Sequence, residues 1–342
     1  MTYDRSFFRR LNIPLVPRQV IHSPPARGRR AAPVAVPTSS MPRLLPLVLV
    51  GASALACRSV SPPASAIPDA RSALTRLDAT YSSVSGISGS AKIDYLGDKG
   101  RVRGDVSVLA SGPARLRFAI RADVVGAAGE VASDGVKFEA DDKANGRYIV
   151  GAAKPCNVAR VTQVPLPLDE LVPMLWGMRP HLDGPIKCDS ISWSGEGYYV
   201  VMLSQNAGGA SKSGALAHEL HVSPYPSDWD KPWSEQRLRL LGVNAWSAAN
   251  EGNLVYRVTM KDHEATSTAK PISDPDGLNP DVPPSGPNVT VELPRTIRVE
   301  VPSKKSDVIF KYSEAFVNPP LIPDAFHIVM KPGVPVDEST CD

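Results

Sequence analysis

Four cysteines are the most reactive side chains in this 342-residue sequence, and one of them stands where a thiol is modified. Ala54-Leu55-Ala56-Cys57 closes a segment that starts at Met41 and Arg43 and runs through apolar Leu44 to Leu55. A basic head, an apolar stretch and small residues before a cut are the parts of a bacterial export signal. The apolar run, roughly a dozen residues, is short for a membrane span, which needs about 20. The ending resembles a lipobox, where cleavage before the cysteine frees an amino group for acylation and the thiol takes diacylglycerol. Cys57 is the predicted lipidation site; the alternative is a cysteine inside an ordinary signal peptide or an anchor. Cys156, Cys188 and Cys341 then face an oxidising compartment in which two of the three pair. Cys156 with Cys188 is the nearest couple, and Cys188 with Cys341 is the rival.

Other groups with chemical potential fall short of a site. His218-Glu219-Leu220-His221 has two imidazoles three apart, whereas a helical zinc pair of the metalloprotease kind needs them four apart around a glutamate. On a strand they point to opposite faces, which reads as surface or turn histidines. Asp141-Asp142 and Asp169-Glu170 are adjacent acids, the pattern of solvated turns and helix N-termini. The nucleophile elbow G-x-S-x-G, the phosphate-binding P-loop and the dinucleotide fingerprint are all missing from the sequence. The expectation is a protein that is not an enzyme, with no catalytic residue, metal or cofactor.

Charge supports the division at the leader. Residues 1–56 hold eight Arg and one Asp, so the net charge of +3 for the whole becomes −4 from Cys57 onward. No basic stripe survives, and nucleic acid is excluded as a partner. Met41 is the expected start, with 1–40 an upstream, non-native or disordered extension and 41–56 the signal peptide. Arg9-Arg10 and Arg29-Arg30 are not followed at once by an apolar core, so they make no twin-arginine signal. Residues 57–68, rich in Ser, Pro and Ala, read as the lipidated cysteine and a flexible tether. One domain spans 69–342.

The elements follow from periodicity. Asp69 is a predicted N-cap, and Ala70, Ala73, Leu74, Leu77, Tyr81 and Val84 recur at helical spacing up to Gly86. The period then falls to two. Leu116, Phe118 and Ile120 alternate with arginines, Val136, Phe138 and Ala140 with charges, and the rhythm returns in Val289 to Leu293, Ile297 to Val301 and Val308 to Tyr312. Gly97-Asp98, Ser133-Asp134-Gly135, Asn145-Gly146 and Gly195-Glu196-Gly197 mark the turns of a meander. Between the strand blocks, Leu168, Leu171, Val172, Leu175 and Trp176 share a helical face that Pro173 shortens or kinks. Residues 266–288 read as a proline-rich surface loop. Pro224 to Trp233 is either an interaction loop or an ordered corner that tucks Trp229 and Trp233 against the sheet. The fold class expected is mainly β (α+β): a curved antiparallel sheet with amphipathic helices on its apolar face.

The first helix with SGISGSAKIDYLG and GRVRGDVSVLASGPARLRFAIRADVVGAAGEVASDGVKFEADD, then PLPLDELVPMLWGMRP, then LPRTIRVEVP, is similar to the LolA/LolB group of lipoprotein carriers. The lipobox points to the LolB-like branch. The resemblance covers about residues 69 to 342, with 204–236 and 266–288 fitting poorly. It implies a half-open β-barrel whose concave side, capped by helices, holds acyl chains. Leu116, Phe118, Ile120, Phe138, Leu171, Leu175 and Trp176 are the candidate lining, each weighed against ordinary core packing. The family's protruding apolar loop falls on Asp123 to Gly126, which assigns Val124 and Val125 to contact with membrane or cargo; the alternative is a plain strand end. Implied partners are acylated lipoproteins or lipids, the membrane through the N-terminal lipid, and a periplasmic carrier protein. Arg58, where the family's retention signal has Asp, points to the outer membrane. The expected function is to receive or hold lipoproteins or lipids there. Two alternatives stand beside it: a structural scaffold lipoprotein acting through surface loops, and an enzyme with an unrecognised site.

Overall fold

Asp69 opens the first element by accepting a hydrogen bond from the Ser72 amide at 2.8 Å, which satisfies one of the donors a helix start leaves free. The helix that follows, α1 (Ala70–Tyr81), buries Ala70, Ala73, Leu74, Leu77 and Tyr81, the stripe its spacing predicts. The computed structural model describes residues 59–340 apart from 98–99, 123–125, 144, 163, 183, 206–212, 248–251, 274–275 and 277–279. These residues belong to one compact unit, and all its described strands, helices and core residues follow Ser59.

Six strands come next: β1 (Gly86–Gly97), β2 (Gly100–Ser111), β3 (Arg115–Ala122), β4 (Gly126–Ser133), β5 (Lys137–Asp142) and β6 (Arg147–Ala152). Two short helices, α2 (Pro155–Thr162) and α3 (Leu168–Met174), lead to the second block. It comprises β7 (Ile186–Ser194), β8 (Tyr198–Gln205), β9 (Ala217–Pro224), β10 (Leu238–Trp246), β11 (Leu254–Ser267), β12 (Thr290–Val301) and β13 (Ser306–Val317), before a last strand β14 (Val336–Ser339).

All fourteen strands form one sheet in the order β14-β6-β5-β4-β3-β2-β1-β13-β12-β11-β10-β9-β8-β7. Each block is an antiparallel meander, and β1 joins them by pairing with β13 from Ile87↔Val317 to Leu96↔Asp307. Only the β14–β6 pairing is parallel among these strands. The sheet is curved and unclosed. Phe118 and Phe310 measure the bend: β2 and β1 lie between their strands, a separation of about 14 Å in a flat sheet. Their ring centroids nevertheless stand 5.8 Å apart.

Sequence expectations meet this structure unevenly. The alternation of Leu116 and Phe118, of Phe138 and Ala140, and of the late blocks places these side chains in the core. Val136 departs from it and is 74% exposed, because it sits in the β4–β5 turn, where its amide bonds the Asp134 carboxylate at 2.8 Å. The helix that Pro173 is expected to shorten or kink is short: α3 has seven residues and ends just after Pro173, and the Asp169 carbonyl, which a proline at 173 cannot bond, accepts from the His181 amide at 3.3 Å, while α2 forms a separate helix before it. Residues 59–68, expected as a tether, are strapped to the sheet. Val60 bonds Gly195 and Trp193, Ser65 accepts from the Trp233 amide, and the Ile67 amide reaches the Tyr199 hydroxyl. The corner at 224–233 is ordered: Asp228, buried, takes Arg237 and Lys231 at 2.7 Å each, and Trp229 packs edge-on against Trp193 at 5.7 Å.

The disulfide expectation is corrected. Cys188 is a free, half-buried thiol on the edge strand β7, so it pairs with neither Cys156 nor Cys341. Cys156 is disulfide-bonded, through a partner outside the described residues. It opens α2, next to Asn157, whose amide group is bonded to Ser339 on β14 at the other edge of the sheet. Closeness in sequence was no guide to closeness in space.

Asn318 locks the seam between the two meanders. It is fully buried in the left-handed region, at φ 51°. Its side-chain oxygen accepts from the Ser85 amide at 2.8 Å, and its nitrogen donates to Ser83 and Pro287 at 2.9 and 2.8 Å. Replacement by Ala removes the partner of the Ser85 amide and of the Ser83 carbonyl, takes one of two donors from the Pro287 carbonyl, and puts a residue with no polar tip at positive φ. Asn318→Ala is expected to lower unfolding stability by about 2–4 kcal/mol, read as a lower urea midpoint at unchanged slope.

Candidate functional site

The residues expected to line a cavity are brought together by the fold. Leu116 and Phe118 from β3 and Phe138 from β5 are buried on the inner face, and Leu171, Leu175 and Trp176 press on that face from α3 and the turn after it. Ile120 is half-buried against the same cluster. All seven join one continuous core with α1, which covers β7, β8 and β10. Cys57, Val124 and Val125 lie outside the described residues.

The cover is not purely apolar, and its polar contacts form a seam. Glu170 on α3 is 1% exposed. The Tyr256 hydroxyl of β11 donates to it at 3.0 Å, and the Ser213 amide donates to its second oxygen at 3.2 Å. Burial pushes the Tyr256 hydroxyl well above its ordinary range, so it stays protonated as a donor. Tyr312 of β13 donates to the Leu175 carbonyl at 3.1 Å. Arg179, just after α3, grips Asp78 of α1 with two bonds of 3.0 Å, tying one cover helix to the segment that follows the other.

His218 lies beside this seam. Its ring is tilted against Tyr256 at 6.2 Å, it is fully buried, and neither ring nitrogen has a hydrogen-bond partner. A buried imidazole without partners costs roughly 1–3 kcal/mol, so this is a conspicuous place to leave one. Its neighbour in the motif faces outward: His221 stacks on Tyr198 and contacts Glu219 at 2.6 Å. The two histidines point to opposite faces, as a strand requires, but His218 is a core residue and not the surface histidine expected. Among the described residues no three His, Cys, Asp or Glu side chains gather to hold a metal.

The sequence reading also missed Glu170, taken for a solvated acid at a helix start. The signal was present: Leu168, Leu171, Val172, Pro173 and Met174 leave a seven-residue helix apolar nearly all round, so Glu170 had no wet side to occupy. Tyr256 carried no such mark.

Two openings stand out among the described residues, and the larger reaches the seam at Tyr312. Beyond the Thr296↔Lys311 pair, β12 and β13 part: residues 290–295 stay with β11, and 312–317 stay with β1. Thr268 and Val317 form a parallel bridge at the far end. The slit between has a volume of about 820 Å³ and is lined among others by Asp262, Glu264, Arg295, Lys311 and Phe316. A second opening of about 400 Å³ lies between β6 and β14, lined by Arg147, Ile149, Val336, Asp337 and Glu338. None of the seven expected lining residues borders either.

Burial lowers the pKa of His218 from 6.5 to about 4, and that of His263, whose ring bonds the Leu240 carbonyl, to about 4 as well. The unfolded chain binds these protons more readily, so stability is complete above pH 6.5 and falls as the pH drops towards 4. For His218 the loss amounts to roughly 3 kcal/mol once the pH is below 4. Urea midpoints measured from pH 8 to pH 4 are expected to decline below 6.5, with a shallower decline for His218→Leu. A profile identical in the variant contradicts the assignment.

No family model matches the chain, and no curated protein matches it either. Solved structures do. A LolA superfamily protein from Nitrosomonas europaea shares 12% identity over 76% of this chain and 98% of its own, with a TM-score of 0.45. An outer membrane lipoprotein-sorting protein domain from Vibrio parahaemolyticus shares 10% over 76% and 96%, also at 0.45. A DUF1329 family protein from Desulfovibrio piger shares 12% over 75% and 95%, again at 0.45. These likenesses, at 10–12% identity, are likenesses of fold.

Proposed function

We propose that this protein is a lipid-anchored envelope lipoprotein that binds acyl chains of lipoproteins or lipids between its sheet and its helical cover. The observation that carries the reading is the polar seam under α3. In an interior built only for stability, the contact between a short apolar helix and an apolar sheet face would hold no carboxyl group and no orphaned imidazole. Glu170, Tyr256 and His218 fit a surface that opens, where water or the polar end of a ligand satisfies them.

The apolar lining supplies the driving force once the cover lifts. Each methylene of an acyl chain buried there contributes about 0.8 kcal/mol. Leu116, Phe118, Ile120 and Phe138 would contact the chain from the sheet, and Leu171, Leu175 and Trp176 from the cover. Cys57 would hold the protein at the outer membrane, facing the periplasm, where a soluble carrier would hand over cargo. Several chains on one residue anchor stably where a single chain does not.

A second reading keeps the interior closed and places the activity outside, as a scaffold lipoprotein. Its support is that the seven candidate residues are packed in a continuous core while the 820 Å³ slit opens elsewhere.

The readings separate in one titration. A chain beginning at Ser59 is mixed with a fluorescent palmitate analogue, in the native form and as Tyr256→Phe, which removes the hydroxyl from Glu170 and keeps the ring. A bond to a carboxyl group is worth about 1.5–3 kcal/mol, so loosening the cover is expected to tighten apparent binding by about ten- to a hundredfold. Absence of saturable binding by both folded proteins rejects the acyl-binding reading in favour of the scaffold. Separately, the intact mass of the native N-terminus is expected to show acylated Cys57.

A further inference from the structure

Three of the chain's five tryptophans gather at one end of the second meander. The β7–β8 turn lies there, and the Tyr199↔Val222 pair brings the end of β9, with the corner 224–233 that follows it, beside that turn. Trp193 packs edge-on against Trp229 at 5.7 Å, and the Trp233 amide bonds Ser65 at 2.9 Å. All three indoles are half-exposed. Trp193 donates its indole N–H to the Val60 carbonyl at 2.8 Å, whereas those of Trp229 and Trp233 have no partner among the described residues.

The chain enters the described unit at the same place. Val60 is exposed, and its amide bonds the Gly195 carbonyl of the β7–β8 turn at 2.9 Å. Three peptide links separate Val60 from Cys57, so their Cα atoms stand at most about 11 Å apart. A diacylglycerol on Cys57 holds that residue at the headgroup layer, which is roughly 5–8 Å deep in each leaflet. With Val60, Ser65 and Ile67 bonded to the sheet and its corner, the β7–β8 turn and the tryptophans beside it have no room to stand clear of the bilayer.

We propose that this end of the meander rests on the bilayer, with Val60, Trp229 and Trp233 in the headgroup layer and the strands running away from the membrane. The proposal rests on the anchoring of Cys57 in the reading above and adds to it the face that meets the lipid. An indole suits that layer because its body is apolar and its N–H is polar, and the N–H groups of Trp229 and Trp233 are free to bond headgroups. Charge does not carry the contact. Lys231 and Arg237 are both held by Asp228, and Glu196, Asp230 and Glu235 at the surface nearby offer anionic lipid no attraction. The contact is therefore apolar and aromatic, and salt does not screen it.

The test uses a chain beginning at Ser59, which holds the whole described unit, in a Cys188→Ser background. A hexahistidine tag before Ser59 tethers it to phosphatidylcholine vesicles that carry a nickel-chelating lipid. This tether stands in for Cys57 and is longer, so contact is not forced, and a failure speaks against docking while acylation of Cys57 is read separately by mass. The polarity-sensitive dye NBD is placed at Ser234→Cys, exposed beside Trp233, or at Ser303→Cys, exposed in the β12–β13 turn. Successive turns of the meander alternate between its two ends, which puts Ser303 at the far one. The dye at 234 is expected to shift to the blue, to brighten about twofold and to be quenched by spin-labelled lipid, equally at about 0.1 and 0.5 M salt, while the dye at 303 stays in water. Val60→Asp with Pro232→Asp, both at exposed positions, is expected to abolish the shift at an unchanged melting temperature. A dye at 234 that stays in water, equal response at the two labels, or a shift that survives the double substitution overturns the proposal.

Discussion

The pairing of β1 with β13 carries the architecture. Each meander is built from neighbours in sequence and could propagate alone, but each would end in an open strand with its apolar face half covered. Joining them closes a loop in which Ser85 and Asn318, 233 residues apart, share a hydrogen bond. Closure of such a loop costs about 5 kcal/mol in chain entropy, and a long run of backbone bonds repays it. Close approach is built in: a Cβ on Gly89 would stand 2.1 Å from the Glu314 carbonyl oxygen. The same seam fixes the sheet's curvature, since it brings Phe310 across to Phe118 and lets one core run under both halves.

Once the sheet bends, its inner face must be covered, and the cover is assembled from pieces of unequal character. Helix α1 is a conventional amphipathic helix, capped by Asp69 and buried along one stripe. Helix α3 is short, apolar nearly all round and stitched down by Glu170 and by Tyr312 reaching the Leu175 carbonyl. A contact made largely of dispersion forces would be tight but hard to reopen. Buried polar atoms reduce its net stability, because breaking the seam returns each of them to water.

The outer surface has a division of its own. The segment 318–335 runs over the outside of the first meander, where Ile328 packs with Ala132 and Tyr148, Arg117 donates to the Ala325 carbonyl, and Arg115 sits over Phe326. That segment thus covers part of the outer face of β3 to β6, while the outward residues of β2 from Arg101 to Ser107 stay exposed. The outward face near β1, β13 and β12 keeps long charged side chains paired across strands, which spends arginines on local carboxylates.

Period-two alternation placed Leu116, Phe118, Phe138 and the late strands correctly, since a strand half in water must alternate. Asp69 and the helical stripe after it were equally plain, and the glycine-rich turns fell where a meander needs them. Those features depend on neighbours a few residues away, and so did the candidate lining, read from local apolar runs. Other features depend on contacts across the chain. Glu170 is buried because α3 lies on Tyr256, and His218 is orphaned because the strands beside it offer Leu203 and Ala245. Cys156 bonds away from Cys188 because the two lie toward opposite edges of the sheet, and Ser59 to Pro68 is strapped down by Trp193 and Trp233. Local composition decided which faces are dry and where the chain turns, because burial period and backbone preference act over a few residues. Which strands meet at the seam, and which polar groups end up under the cover, was decided by three-dimensional closure, because partners hundreds of residues apart leave no periodic trace in the chain.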